Sequence, residues 1–339
     1  MTQLKIIGAG LCCPLGLALA PAYSAIRAGI RRFATGGYCG RGGEPIVVSM
    51  VSHLPSNSPR WERVVALMSG AVADAVRGIG VADFAGVPLV VGLAEPERSS
   101  DARTLVDALH SRLGELGLRF DRGAVRAVAS GGTTGARALA EASRGLERSA
   151  SRACVVVCGD SLVDAAALGQ LEREDRLKSE RQPDGVIPGE AAAAVVVTDR
   201  TVAGLGAVRG VGFATEPATR DNEEPLRATG LIAAVRAALE EARLDLADID
   251  VRISDTGGES FAFKEQALLV ARLLRVRRER FELWLPAESL GDTGAAGALV
   301  GLVLGIEAMR RGRASARALV CASDPRGERG AVVVTGAAV

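Results

Sequence analysis

The amino-acid sequence predicts an α/β fold in which helices cover both faces of parallel or mixed β-sheets. Short apolar segments alternate with longer segments whose apolar residues recur every three or four positions, as strands and helices do in layered α/β proteins. The alternation starts again after Asp199, which suggests an internal duplication. With 48% hydrophobic but only 3% aromatic residues, the core must be packed mainly by Ala, Val, Leu and Ile. The 339 residues are expected to form two similar halves, 1–204 and 205–339, in one compact unit.

The first half contains five predicted strands and several amphipathic helices. Buried strands are predicted at 3–8, 88–93, 124–130, 153–157 and 193–198. Helices are predicted over 20–30, from Trp61 onward, around Leu105 to Leu116, after the glycine-rich turn that begins at Gly131, and directly after the strand at 153–157. The segment 33–58 has Gly, Pro and Ser without periodicity, which predicts a loop.

The second half repeats this plan with similar spacing. Its predicted strands lie at 207–213, 249–254, 281–286, 316–322 and 331–335. Its predicted helices are one with Ile232, Val235, Leu239 and Ala242 on a single face, one from about 263 to 275, and one from 295 to 310.

Charge and cysteine content exclude several classes of function. The 41 basic and 40 acidic residues nearly cancel, so no field is expected that would attract nucleic acid or an anionic membrane. The six cysteines have no CxxC or Cys/His spacing, which predicts reduced thiols in a cytoplasmic protein without a metal site. The apolar segment 295–309 is shorter than the ~20 residues that span a bilayer. We expect no cofactor, and residues 11–25 lack the pattern of a signal peptide.

A carboxylate at the start of a buried strand is the most specific local feature. Glu190 follows Gly189 and directly precedes a run of Ala and Val, so its side chain should be buried. A buried acid needs hydrogen-bond donors around it, either in a structural network or in the wall of an active site. The two histidines, His53 and His110, do not decide between a structural network and an active site. Both lie outside any glycine-rich or acidic motif and fit surface or packing roles.

The order of several motifs resembles that of the β-ketoacyl synthases of the thiolase superfamily. The motifs are IIGAGLCCPLG at 6–16, CGDSLV at 158–163, DGVIPGEAAAAVVV at 184–197, SDTGGESFAFKE at 254–265 and AESLGDTGAAGA at 287–298. The resemblance spans nearly the whole chain. It implies a thiolase fold, in which duplicated βαβαβαββ halves form five layers in the order αβαβα.

The same resemblance implies that the catalytic residues of the family are missing. The family uses a cysteine at a helix N-terminus and two histidines that bind the thioester oxygen. Carried over by position, the cysteine falls on Gly132, the first histidine on Ser254 and the second on Asp292. A lysine of the family is replaced by Ala287, and the closing GFGGTN loop by DPRGERG at 324–330. Ketosynthase activity is therefore not expected.

Replacement chemistry has weak candidates. Ser130 and Thr133 lie in the turn that precedes a helix, and Asp292 or Glu190 could act as a base. The competing interpretation is that Thr133 and Thr134 cap the helix. Cys158 ends a strand without a basic neighbour in the sequence. We expect structural roles for Glu190, Gly189 and Asp184.

The expected function is that of a catalytically inactive scaffold that forms a homodimer or a heterodimer. The segment VGLAEPERSSD at 91–101 and the DG-x-IPGEA form of the glycine loop resemble shorter thiolase-like proteins associated with type VI secretion effectors. That resemblance implies an adaptor or co-chaperone with an effector or its chaperone as partner. The alternative is an acyl-binding or chain-length-factor-like subunit, or an acyltransferase with a replaced nucleophile, in fatty acid or polyketide synthesis. Against a chain-length factor stand its expected larger size and its usual glutamine at the position of Gly132.

Overall fold

The structure is a computed structural model that describes residues 3–55, 57–77, 79, 84–98, 102–148, 151–312 and 316–337. Its strands are β1 (Leu4–Cys12), β2 (Ala34–Cys39), β3 (Pro45–Val48), β4 (Leu89–Leu93), β5 (Val125–Ala129), β6 (Ala153–Ser161), β7 (Glu190–Thr198), β8 (Gly206–Thr215), β9 (Val251–Ser254), β10 (Glu282–Trp284), β11 (Arg317–Ser323) and β12 (Glu328–Gly336). Its helices are α1 (Leu19–Arg27), α2 (Arg60–Val76), α3 (Ala102–Glu115), α4 (Thr134–Arg148), α5 (Ala165–Arg173), α6 (Thr229–Ala242), α7 (Ser260–Leu273), α8 (Ala287–Leu290) and α9 (Gly297–Arg310).

The two halves of the chain have the same strand order. The first half is ordered β5-β4-β6-β7-β1 and the second β10-β9-β11-β12-β8. In both halves the strand that comes last in sequence, β7 or β12, runs antiparallel to its two neighbours. The three strands at the outer end of each half, β5-β4-β6 and β10-β9-β11, pair in parallel. The halves join edge to edge where Leu4 of β1 pairs with Val208 of β8. The predicted duplication is confirmed at the level of topology.

The helices form three layers around these sheets. The helices α2 and α3 pack on the outer face of the first sheet, and α6 packs in the same way on the second sheet. Between the sheets lie α4 and α9, whose apolar side chains share one core with residues of both sheets. Because α9 is covered on all sides, it is apolar around its whole circumference. The predicted five-layered αβαβα arrangement is confirmed.

Glycines allow a very close helix contact at the same place in both halves. A Cβ atom on Gly8 or Gly10 of β1 would lie 2.1 Å from a carbonyl oxygen of α2. A Cβ atom on Gly210 or Gly212 of β8 would lie 2.1 or 2.0 Å from a carbonyl oxygen of α6. Only glycine permits this approach, and the repeated contact shows that the duplication extends to packing.

The predicted loop at 33–58 is wrong over part of its length. The strands β2 and β3 pair antiparallel within it, and Val48 is fully buried in a small core with residues of α5. Glycines at 36, 37, 40, 42 and 43 interrupt the alternation of apolar residues, which hid this hairpin from sequence analysis. Within the described part of the chain, no helix combines the length and the hydropathy needed to cross a membrane.

Candidate functional site

The candidate site is centred on the turn between β5 and α4, where the sequence resemblance predicts the nucleophile position. A short 3₁₀ turn, Gly131–Thr133, links the strand to the helix. A Cβ atom on Gly132 would lie 2.1 Å from the backbone oxygen of Ser323 and 2.9 Å from its carbonyl carbon. Because the obstacle is backbone, a side chain at Gly132 requires the segment that contains Ser323 to move. The packing thus leaves no room for a side chain at position 132.

The loop between β11 and β12 covers this turn. The Gly132 N–H donates to Asp324 Oδ2 over 3.1 Å, and Asp324 is buried and bound by the backbone and side chain of Arg326. Thr133 Oγ1 also donates to Glu328, the first residue of β12. The Asp324 carboxylate therefore accepts a hydrogen bond from an N–H group at the start of α4, where the helix dipole favours negative charge.

The two positions that the resemblance aligned with catalytic histidines, Ser254 and Asp292, lie near this turn. They differ in whether they line the cavity. Gly132 and Asp292 line the same cavity of about 500 Å³. Ser254, at the end of β9, is 1% exposed and is bound to Thr256 Oγ1 over 2.8 Å and to Gln266 Nε2 over 3.2 Å. It lies behind the cavity wall, while its neighbours Asp255 and Thr256 line the cavity.

Two carboxyl groups of the cavity have perturbed acidity. Burial raises the pKa of Asp255 to about 7, with a further contribution from the negative charge of Asp292, while a hydrogen bond from the Ser323 N–H opposes the rise. Burial also raises the pKa of Asp292, against the opposing effect of Arg176. The two positions that the sequence resemblance aligned with catalytic histidines thus hold a buried hydroxyl and a carboxyl group that is costly to ionise.

Sequence analysis missed the charged network behind the cavity. Asp160 lies between Arg60 and Arg98, with N···O distances of 2.7 and 2.5 Å. Burial alone would raise the pKa of Asp160, but the two arginines hold it at about 2. Both arginines come from segments far from Asp160 in sequence, and no spacing rule links them. The charge of Asp160 inside CGDS was the available signal, because a buried acid requires a cation.

Glu190 lies in a second network, beside the first. Its side chain is fully buried, and its oxygens accept from Val51 N over 2.7 Å, from Ser161 Oγ over 2.9 Å, and from Arg63 Nη2 and Nε over 2.5 and 2.8 Å. Glu190 is not among the residues that line the cavity. It therefore cannot act as a base there, and its contacts fit the structural alternative.

Gly189 and Asp184 hold the glycine-rich loop in place. The Gly189 N–H donates to the Asp292 backbone oxygen over 2.8 Å, and a Cβ atom on Gly189 would lie 2.1 Å from the Leu290 oxygen. Asp184 accepts from the N–H of Ser260 over 2.6 Å and from its hydroxyl over 2.9 Å, which caps the start of α7. The Ser260 N–H holds the pKa of Asp184 below its usual range.

Among the weak candidates for replacement chemistry, Thr133 contacts the carboxylate of Glu328, which is also bound to Arg137. Thr133 is fully buried, and its Oγ1 also lies 3.0 Å from the Ser130 backbone oxygen. Thr134 donates to the Leu93 oxygen and accepts from the Ser130 N–H, so these hydroxyls secure the turn instead of capping the first helical N–H groups. The ring of His110 contacts the Phe120 oxygen on α3, away from the cavity. Burial raises the pKa of Cys158 to about 12, which leaves its thiol unreactive.

The described residues offer no set of three His, Cys, Asp or Glu side chains that could hold a metal ion. The last three residues of the segment 91–101 lie outside the described residues. Its central part supplies Glu95, Glu97 and Arg98 to the cavity wall.

Comparison with known proteins gives a fold but no family. No protein-family model matches the sequence, and no curated protein matches it. Solved structures match along nearly the whole chain. The ishigamide ketosynthase/chain length factor matches with a TM-score of 0.73 and 20% identity, over 99% of this chain and 100% of the matched chain.

Two further structures give the same result. AntDE:AntF, a type II PKS acyl-carrier protein in complex with its ketosynthase, matches with a TM-score of 0.82 and 12% identity, over 99% of both chains. The ketosynthase ApeO in complex with its chain length factor ApeC from Xenorhabdus doucetiae matches with a TM-score of 0.74 and 13% identity, over 99% of this chain and 98% of the matched one. The chain therefore has the thiolase-like ketosynthase fold.

Proposed function

We propose that this protein is a non-catalytic, chain-length-factor-like subunit that pairs with a catalytic ketosynthase. The observation that carries the proposal is the packing at Gly132, where the Ser323 backbone leaves no room for a nucleophilic side chain. A covalent acyl intermediate has no site of attachment at this position.

The remaining parts of the site support the same conclusion. Ser254 is buried behind the wall, and Asp292 presents a carboxyl group in place of an imidazole. Removing one oxyanion-stabilising donor typically lowers the rate by ~10²–10³. In this chain both imidazole positions are altered together with the nucleophile, so condensation must be performed by a partner.

The edge strand β5 provides a surface for pairing. Among the described residues it is bonded only to β4, so its other side has unpaired backbone groups of the kind that pair with another chain. Arg126 and Ala127 at its centre are exposed. Two of the similar structures contain a ketosynthase together with a chain length factor, which supports a heterodimer over a homodimer.

The expectation that a chain-length factor is larger than this chain stays a prediction. The chains matched in the ketosynthase/chain length factor structures are covered over 98% and 100% of their length. Glycine instead of glutamine at position 132 remains a difference from the usual pattern. A role as adaptor in type VI secretion stays a prediction of the sequence resemblance, and no contact in the described part of the chain adds support to it.

The proposal is tested by co-expressing the chain with a ketosynthase from the same genome that has an intact Cys-His-His triad. We expect a one-to-one complex in size-exclusion chromatography with light scattering. Ala127→Glu, which places a charge on the β5 edge, should weaken this complex about tenfold or more, because an unpaired charge would be buried in the contact.

Val202→Glu is the matched control, because Val202 is 43% exposed and lies outside the strands. This variant should pair as the wild type does. If no triad-bearing ketosynthase forms a complex, or if Ala127→Glu pairs normally, the proposed arrangement is wrong.

A further inference from the structure

The cavity beside Gly132 has an excess of acidic groups. Each arginine in its wall is already bound to a carboxylate: Arg98 to Glu95 and Asp160, Arg176 and Arg220 to Glu259, Arg326 to Asp324 and Glu97, and Arg329 to Glu265. All five arginines of the described wall are therefore paired with carboxylates, and one guanidinium nitrogen, the buried Arg98 Nη1, has no hydrogen-bond partner in the described structure.

Three acids of the same wall have no cationic partner within salt-bridge distance among the described residues, namely Asp221, Asp255 and Asp292. Asp255 Oδ2 accepts from the Ser323 N–H over 2.7 Å, while Oδ1 has only a 3.4 Å contact with Ser254 Oγ. Asp292 Oδ1 accepts from the Gly294 N–H over 2.9 Å, and its Oδ2 has no hydrogen-bond partner in the described structure. Two partly buried carboxyl groups thus retain acceptor capacity on a common cavity.

The exposed rim of the cavity has the same sign. Asp221 lines the cavity and is itself exposed, and Glu223 and Glu224 beside it are also exposed. Asn222 fixes this segment by accepting from the N–H groups of Thr219 and Glu224. A wall and a rim of one sign concentrate ligands of opposite charge.

The cavity also has apolar lining residues. Leu162 and Leu171 approach from the region of α5, Phe261 from the first turn of α7, and Val186 from the glycine-rich loop. This surface suits a short aliphatic chain. A metal ion fits the site less well, because hard cations take six or more oxygen ligands and the described residues contain no metal-binding group of three side chains.

We infer that this cavity binds an aliphatic amine, with its ammonium group between Asp255 and Asp292 and its chain against Leu171 and Phe261. The ammonium group would donate to the carboxyl oxygens that lack partners, and charge-assisted hydrogen bonds of this kind are strong. The family site stabilises negative charge on a thioester oxygen, whereas this chain would hold a positive charge at the same place. The inference does not depend on pairing with a ketosynthase, so it is tested on the isolated chain.

The test compares three probes that share one tail and differ in the head group. Hexylamine, hexanol and hexanoate are titrated separately into the isolated full-length protein at pH 8 by isothermal titration calorimetry. We expect hexylamine to bind at least about tenfold more tightly than hexanol. Hexanoate should bind more weakly than hexanol, because the wall carries more carboxyl groups than arginines.

Asp292→Asn locates the binding site. The asparagine can still accept from the Gly294 N–H but has no charge, so hexylamine affinity should fall about tenfold. Glu62→Gln is the matched control, since Glu62 is exposed on α2 and its loss changes the net charge equally. The control should bind hexylamine as the wild type does.

Equal binding of all three probes would show recognition of the tail alone and would overturn the inference. Tighter binding of hexanoate, or no heat with hexylamine at millimolar concentration, would also overturn it. An equal loss of affinity in Asp292→Asn and Glu62→Gln would assign the effect to net charge and contradict the proposed site.

Discussion

Two groups of buried acids near the turn at Gly132 differ in how their charge is matched. Glu190 is fully enclosed and receives four hydrogen bonds, two of them from the Arg63 guanidinium. Asp255 and Asp292 line a cavity, have no cationic partner in the described structure, and have raised pKa values. Charge is thus balanced at Glu190, which has a structural role. It is unbalanced at Asp255 and Asp292, in the cavity where the sequence resemblance predicts a catalytic centre.

The largest effect is expected from removing the cation of the balanced group. Arg63→Ala leaves Glu190 buried without its partner, because Glu190 has no exposed surface. Breaking a buried ion pair on one side typically costs about 3–5 kcal/mol. Urea denaturation should show a decrease of this size in the free energy of unfolding.

Arg112→Ala is the control for that measurement. Arg112 pairs with Glu115 on the surface, where the side chains are 52% and 64% exposed. Such a pair contributes at most about 1 kcal/mol. If Arg63→Ala costs no more than Arg112→Ala, Glu190 is not the structural centre described above.

A smaller effect is expected at the turn that contains Gly132. Gly132→Ala should lower the free energy of unfolding by about 1–3 kcal/mol, since its Cβ would meet the Ser323 backbone at 2.1 Å and force a shift. Gly145→Ala, within α4, has no atom within 4 Å of the added Cβ. This control should increase stability by about 0.5–1 kcal/mol. Equal stability of the two variants in thermal unfolding would show that position 132 has room for a side chain.

The smallest effect depends on pH and concerns the unbalanced group. The pKa of Asp255 is raised from 3.8 to about 7 in the folded protein, so the folded state holds this proton more tightly than the unfolded chain. Ionised Asp255 therefore lowers stability progressively as the pH rises from about 4 to about 7. Asp255→Asn removes that penalty and should be more stable than the wild type at pH 8.

The gain should shrink toward zero as the pH falls to about 4, where the wild-type carboxyl group is protonated in both states. Urea denaturation of both proteins across this range measures the difference. A stability difference that does not change with pH would contradict the proposed state of Asp255.

The fold could be predicted from the sequence because its signals are periodic and repeated. Strand and helix patterns recur in both halves, and the motif order placed the chain in the thiolase fold that the strand order confirms. The hairpin β2–β3 could not be predicted, because glycines remove the side chains that would define its alternation. Sequence position placed Gly132 and Asp292 on a common site, and they do line one cavity.

The charged partners of the site could not be predicted from the sequence. Arg63 lies on the buried face of α2 among apolar residues, and its partner Glu190 follows it by more than a hundred positions. Ser254 was expected beside the other altered residues, but the last side chain of β9 points away from the cavity lining and is enclosed by Thr256 and Gln266. Such contacts depend on tertiary packing, which no local pattern encodes.

We propose that this chain forms no covalent acyl intermediate. Intact-mass spectrometry after incubation with octanoyl-CoA, on the chain alone and on its complex with a triad-bearing ketosynthase, tests this directly. We expect an octanoyl adduct on the partner ketosynthase and none on this chain. An octanoyl adduct on this chain, for example on Ser130 or Thr133, would contradict it.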